Sequence, residues 1–136
     1  MKRKTPTNCP CGLATAYADC CGRYIDHPET PAPTAEALMR SRYVAYTRQA
    51  VDYLLATWHA DSRPDRLDLS DESPALKWIG LDVLRTAGGE PGDLEGVVEF
   101  VARYKLGGRA ARLHEVSRFV SVDGRWYYRD GDLREQ

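Results

Sequence analysis

Residues Leu94–Arg129 read LEGVVEFVARYKLGGRAARLHEVSRFVSVDGRWYYR. This stretch decides the fold. Gly107-Gly108 and Asp123-Gly124 are each two-residue hairpin signals. The runs around them are rich in β-branched and aromatic residues, which suit a pleated, half-buried surface. If Gly107-Gly108 is a loop, Leu106 pairs Arg109, and paired residue numbers sum to 215. If Asp123-Gly124 is a loop, the next pairing sums to 247. Side chains alternate with a period of two, so each register assigns a face. One face carries Val98, Phe100, Ala102, Leu113, Glu115, Phe119, Trp126 and Tyr128. The other carries Glu99, Val101, Arg103, Arg112, His114, Val116, Arg118 and Tyr127. The first should receive helices and the second should face solvent or a partner. Both hairpins lead to the same assignment independently.

Upstream, Leu76–Arg85 alternates as a further strand, with Ile79, Leu81 and Val83 predicted on one face. Thr86–Asp93 reads as a loop, and Leu67–Leu69 could form a short strand. Helices come earlier. Thr34 is an N-cap candidate, and Glu36 suits the first turn. Leu38, Met39, Tyr43 and Tyr46 recur at helical spacing, which predicts a helix over Ala35–Thr47. Val51, Leu54, Leu55 and Trp58 predict a second, from Ala50 to about Trp58. Prolines 28, 31 and 33 disfavour helix over Arg23–Pro33 and mark a linker. The reading divides the chain there, into residues 1–28 and residues 29–136, the former docked on the latter.

All four cysteines fall within Cys9–Gly22, CPCGLATAYADCCG, as the close pairs Cys9/Cys11 and Cys20/Cys21. Thiolates repel one another unless a cation gathers them, and Zn²⁺ takes four tetrahedrally. The expectation is a structural zinc knuckle with a closed ligand set. Disulfides pairing Cys9/Cys11 with Cys20/Cys21, or free core thiols, are the competing readings. Met1–Asn8 is basic and polar with no apolar core, so no secretory signal is visible. A reducing, cytoplasmic setting is therefore expected, and it favours metal over disulfide.

At 136 residues the chain suits one domain plus a small appendage. Its apolar share of 43% is enough for a packed core. A net charge of −1 exerts no overall pull toward nucleic acid or a membrane. No apolar run approaches the ~20 residues of a membrane-spanning helix.

The cysteine stretch resembles the SEC-C motif, with which it shares the spacing C-x-C-x₈-C-C and Gly12, Tyr17 and Gly22. Where that motif usually carries Ser-Gly-Lys/Arg, this chain has Leu13, Ala14 and Thr15. Ala18 and Asp19 replace basic residues before the last pair. The resemblance implies the metal, while most of the charge that would meet an acidic partner is missing. ALMRSRYVAY (37–46), DYLLATWH (52–59), EFVARY (99–104), LHEVSRF (113–119) and DGRWYYRDG (123–131) resemble the YchJ-like family of small bacterial proteins. That resemblance spans roughly Cys9–Gly131. It implies an α+β fold: a zinc knuckle, two helices, then a curved antiparallel four-stranded sheet forming a nuclear transport factor 2-like (SnoaL-like) cone. It implies no reaction.

Glu115 is the out-of-place acid on the apolar face. A carboxylate there must be hydrogen-bonded, paired or left in a wet pocket. Arg42 and His59 are the predicted nearby cations. Two functions follow. The first is a zinc-containing interaction or adaptor module that meets a protein partner through the knuckle. The alternative is a small-molecule binder or acid/base enzyme using the cone. There Glu115 would be the base, His59, Tyr43 or Tyr46 the orienting groups, and Trp58, Phe100 and Trp126 the walls. No nucleophile–base motif is present, so the first is preferred. Cones of this fold also suggest a homodimer through the outer sheet face.

Overall fold

The computed structural model of the chain describes residues 8–67 and 76–134. Three helices come first: α1 (Gly22–Ile25), α2 (Ala35–Arg48) and α3 (Val51–Ala56). Four strands follow: β1 (Leu76–Gly88), β2 (Glu95–Leu106), β3 (Arg109–Val122) and β4 (Arg125–Arg134). They form one antiparallel sheet in the order β1-β2-β3-β4. Asp68 and Leu69, the rest of the possible short strand, lie outside the described residues.

The Thr34 side chain caps α2, with Oγ1 accepting from the Ala37 N–H at 3.0 Å. Gln49 ends α2 in the left-handed region at φ 56°. That sharp stop lets α3 restart two residues later. α3 is shorter than its apolar periodicity predicts. After Ala56 the chain turns extended and pairs with β4: the Tyr128 N–H donates to the Thr57 carbonyl, and the His59 N–H to the Tyr128 carbonyl. α1 corrects the expectation that helix is disfavoured over all of Arg23–Pro33, because it covers Arg23–Ile25. It continues directly from Cys21, ahead of the prolines that forbid helix further on.

The β2–β3 pairing sums to 215 along its whole length, from Leu106↔Arg109 to Glu95↔Val120. The β3–β4 pairing sums to 247 from Val122↔Arg125 to Phe119↔Tyr128. Arg118 then pairs Asp130, so Arg129 is an extra, bulged residue and β4 runs on to Arg134. Two more shifts interrupt the β1–β2 ladder, between Trp78 and Gly80 and between Val83 and Arg85. Each bulge bends its strand and increases the local twist. The first corrects a predicted face: Ile79 is the extra residue and stands 46% exposed, while Trp78 packs inward with Leu81 and Val83.

Val98, Phe100, Ala102, Phe119 and Trp126 form the concave face of the core, packed against Leu38, Met39, Val44 and Leu54. On the opposite face several charges are paired. Glu99 accepts from Arg85 at 3.1 Å and meets His114 Nε2 at 2.7 Å. Arg103 bonds Asp82 at 2.9 Å, and Arg118 bonds Asp130 and Asp132. Val101 and Val116, expected toward solvent, are buried. Their cross-strand neighbours Asp82, Glu99 and Asp132 pair with Arg103, Arg85 and Arg118, whose long stems can cover them.

Candidate functional site

The cysteines come together from two short turns. The Cys9 N–H donates to the Thr15 carbonyl, and the Gly12 N–H to the Cys9 carbonyl. Gly12 sits at φ +100°, a conformation that side chains other than glycine's resist. A Cβ there would also approach the Leu81 carbonyl oxygen to 3.1 Å. A 3₁₀ turn at Tyr17–Asp19 then delivers Cys20 and Cys21 to the same point. Gly22 admits the Tyr17 ring, which a Cβ would meet at 2.7 Å. The three residues that matched the SEC-C pattern besides cysteine thus each have a steric role.

All four Sγ atoms lie within 4.8 Å of one another, and all four cysteines are buried. No disulfide joins them. Tetrahedral Zn–S bonds of about 2.3 Å require sulfurs about 3.8 Å apart. The Cys11–Cys20 separation is 3.6 Å, so the donor set fits a soft, four-coordinate ion. The sulfur contact from Cys21 pulls the Cys11 thiol down to about 5, and the same contact pushes Cys21 up. Burial pushes Cys20 up to about 11. A bound cation would draw all four to the thiolate form. The knuckle is fastened to α2. Arg40 Nη1 donates to the Cys11 carbonyl at 2.8 Å, and the Arg48 guanidinium lies 3.8 Å over the Tyr17 ring.

A cavity of about 290 Å³ lies between α2 and the concave sheet. Glu115, Tyr43 and Phe100 line it, as expected. Trp58, His59 and Trp126 do not. The pairing of Thr57–His59 with Tyr128 carries His59 away. Its Nδ1 accepts from the Asp61 N–H at 3.1 Å, and its ring meets Tyr127 edge-on. Trp126 is buried beside Ser121 in the β3–β4 ladder. Sequence reasoning missed Trp78 and Ser117 as lining residues. Ser117 was legible in principle, since it stands two residues from Glu115 on one face.

Glu115 Oε2 accepts from Ser117 Oγ at 2.6 Å and from the Tyr128 hydroxyl at 3.4 Å. Burial, then the Glu115 charge, pushes the Tyr128 phenol above its usual range. Gly131 makes room for the acid, because a Cβ there would fall 2.2 Å from Oε2. Arg42 also lines the cavity but makes no ion pair with Glu115 within 4.0 Å. Its Nη1 donates to the Leu54 carbonyl and to Thr57 Oγ1, both at 2.7 Å. Its guanidinium lies 5.1 Å from the Trp58 ring centre and 4.7 Å from that of Tyr128. Burial lowers its pKa from the ordinary arginine value. Neither expected cation, Arg42 or His59, forms an ion pair with Glu115 among the described residues, and each group is held by its own neighbours.

Residues 34–131 match the family model described as the middle NTF2-like domain of YchJ. The chain belongs to the YchJ-like family. A UPF0225 protein of Chromobacterium violaceum is 55% identical over 130 residues, covering 96% of each chain. One from Bordetella pertussis is 50% identical over 133 residues, again covering 96% of each. Two solved structures share the fold. The solution structure of a SEC-C motif containing protein from Rhodopseudomonas palustris superimposes with TM-score 0.81 at 36% identity, covering 95% of this chain and all of that one. The crystal structure of a SEC-C motif containing protein from Psychrobacter arcticus gives 0.75 at 28% identity, covering 94% and 83%. The α+β architecture expected of a YchJ-like chain is the one observed. Among the described residues no helix is long and apolar enough to cross a membrane.

Proposed function

We propose that this YchJ-like protein is a zinc-binding interaction module. Cys9, Cys11, Cys20 and Cys21 hold Zn²⁺ as a structural ion, and the knuckle presents its outer loop to a protein partner. The observation that carries this reading is the convergence of four buried Sγ atoms within 4.8 Å. Four thiolates leave zinc no open position, so the ion shapes a surface rather than activating water. Gly12–Thr15 and Ala18–Asp19 are exposed around the cluster, with Leu13 as the apolar residue at the turn. That loop has little positive charge, which suits a protein surface better than a polyanion. SEC-C motifs in the two structural neighbours support the same reading.

The test has two parts. Metal analysis of the chain purified under reducing conditions should find about one zinc per chain, the stoichiometry of a closed four-ligand site. Less than half an equivalent would remove the metal. Affinity capture with the native chain should then be compared with capture by the Cys20→Ser, Cys21→Ser variant. Loss of specific partners from the variant supports the adaptor role, and identical partner sets would count against it.

A further inference from the structure

The cavity under α2 shares no lining residue with the thiol cluster. Its walls include six aromatic rings, from Tyr43, Tyr46, Trp78, Phe100, Phe119 and Tyr128. Two charged groups of opposite sign complete it, Glu115 on β3 and Arg42 on α2. Closing on each other would satisfy both, yet the fold holds them apart. Ser117 and Tyr128 hold the carboxylate, while Leu54 and Thr57 hold the guanidinium.

Each group keeps an unused polar edge. Among the described residues, Glu115 Oε1 accepts no hydrogen bond and Arg42 Nε and Nη2 donate none. Among the described residues, the only sealed side-chain nitrogens or oxygens lacking a partner are the indole nitrogens of Trp58 and Trp78. Glu115 and Arg42 are both lining residues of the cavity.

Charge decides what such a space accepts. An ammonium ligand would gain Glu115 but meet the field of Arg42, and a carboxylate ligand would have the reverse problem. Each would also be desolvated on entry. An uncharged ligand that donates to one group and accepts from the other meets neither penalty. Aromatic walls favour a flat body. The volume lies at the lower end of small-molecule sites.

We propose that the cavity binds a compact, planar, uncharged molecule whose edge carries a hydrogen-bond donor beside an acceptor, a lactam-type heterocycle, with the donor on Glu115 and the acceptor on Arg42.

Three probes of similar size discriminate: 2-pyridone (uncharged, donor beside acceptor), benzylamine (cation) and benzoate (anion). Each is titrated into the full chain purified with its native metal, while backbone amide shifts are followed by heteronuclear NMR. The expected result is saturable perturbation at Phe100, Glu115 and Ser117 by 2-pyridone, at least about tenfold tighter than either charged probe, the discrimination one hydrogen bond to a charged group supplies. Glu115→Leu should weaken 2-pyridone by about tenfold or more. Ala102→Leu, which fills the cavity, should abolish the response. Equal or tighter binding of benzylamine or benzoate would overturn the proposal. So would absence of saturable 2-pyridone binding, or shifts confined to the knuckle. Should a variant fail to fold, the ranking of the three probes on the native chain still decides.

Discussion

The knuckle and the cavity both gather polar chemistry below the surface, but in opposite ways. In the knuckle, four like atoms from a 13-residue stretch converge into a volume that holds only an ion. In the cavity, unlike groups from α2, β3 and β4 approach and stop short, leaving about 290 Å³ between them. The first arrangement could hold an ion through all four sulfurs. The second is stable as it stands, because each charged group already has partners. On the proposed function, one region depends on its ion to fold, and the other folds and then has room for a ligand.

The sharpest way to break this contrast is to withdraw the ion. Structural zinc in small finger peptides contributes on the order of 10 kcal/mol of metal-coupled folding free energy. Chelation should therefore strip hydrogen-exchange protection from amides of Cys9–Tyr24 while those of β2 and β3 stay protected. Uniform loss across the sheet would show that the two regions are one cooperative unit. The next effect belongs to Arg42. Arg42→Ala removes two short hydrogen bonds to a buried cation and its contacts with two aromatic faces. A loss of about 3–5 kcal/mol in urea unfolding is expected, with zinc content unchanged. A matching loss of zinc would contradict the separation.

The smallest effect tests the junction. Tyr53 shares a 2.7 Å hydrogen bond with Ser41, and burial pushes its phenol up to about 12. A pKa raised on folding means that the neutral form is favoured in the native state. The contribution is present below pH 10 and is lost as pH climbs through 12. It amounts to about 2–3 kcal/mol. Thermal melts of Tyr53→Phe between pH 9 and 12 should fall less steeply than those of the native chain. Parallel curves would show that Tyr53 does not set the alkaline limit.

Legibility in the sequence follows the same divide. Cysteine spacing is local, so the cluster could be read from 13 residues. Two glycine turns fixed both hairpin registers, and those placed Glu115 and Phe100 on the concave face. What failed was non-local. A bulge is one extra residue whose place is set by packing, so strict alternation put Ile79 inside and left Trp78 unnoticed. His59 was expected at the end of a helix running to about Trp58, but backbone bonds to Tyr128 ended the helix first. Arg42 was foreseen as a counter-ion, and its capture by the end of α3 was not. α1 escaped notice because four residues are too few to show a period.

One helix touches both regions. Arg40 and Arg48 of α2 grip the cysteine loop, while Arg42, Tyr43 and Tyr46, interleaved along the same turns, line the chamber beneath. A rod shared in this way cannot tilt for one neighbour alone. Linkage is symmetric, so a guest in the chamber that tightened the grip on the ion would itself be held more firmly, by the same factor, whenever the ion was bound.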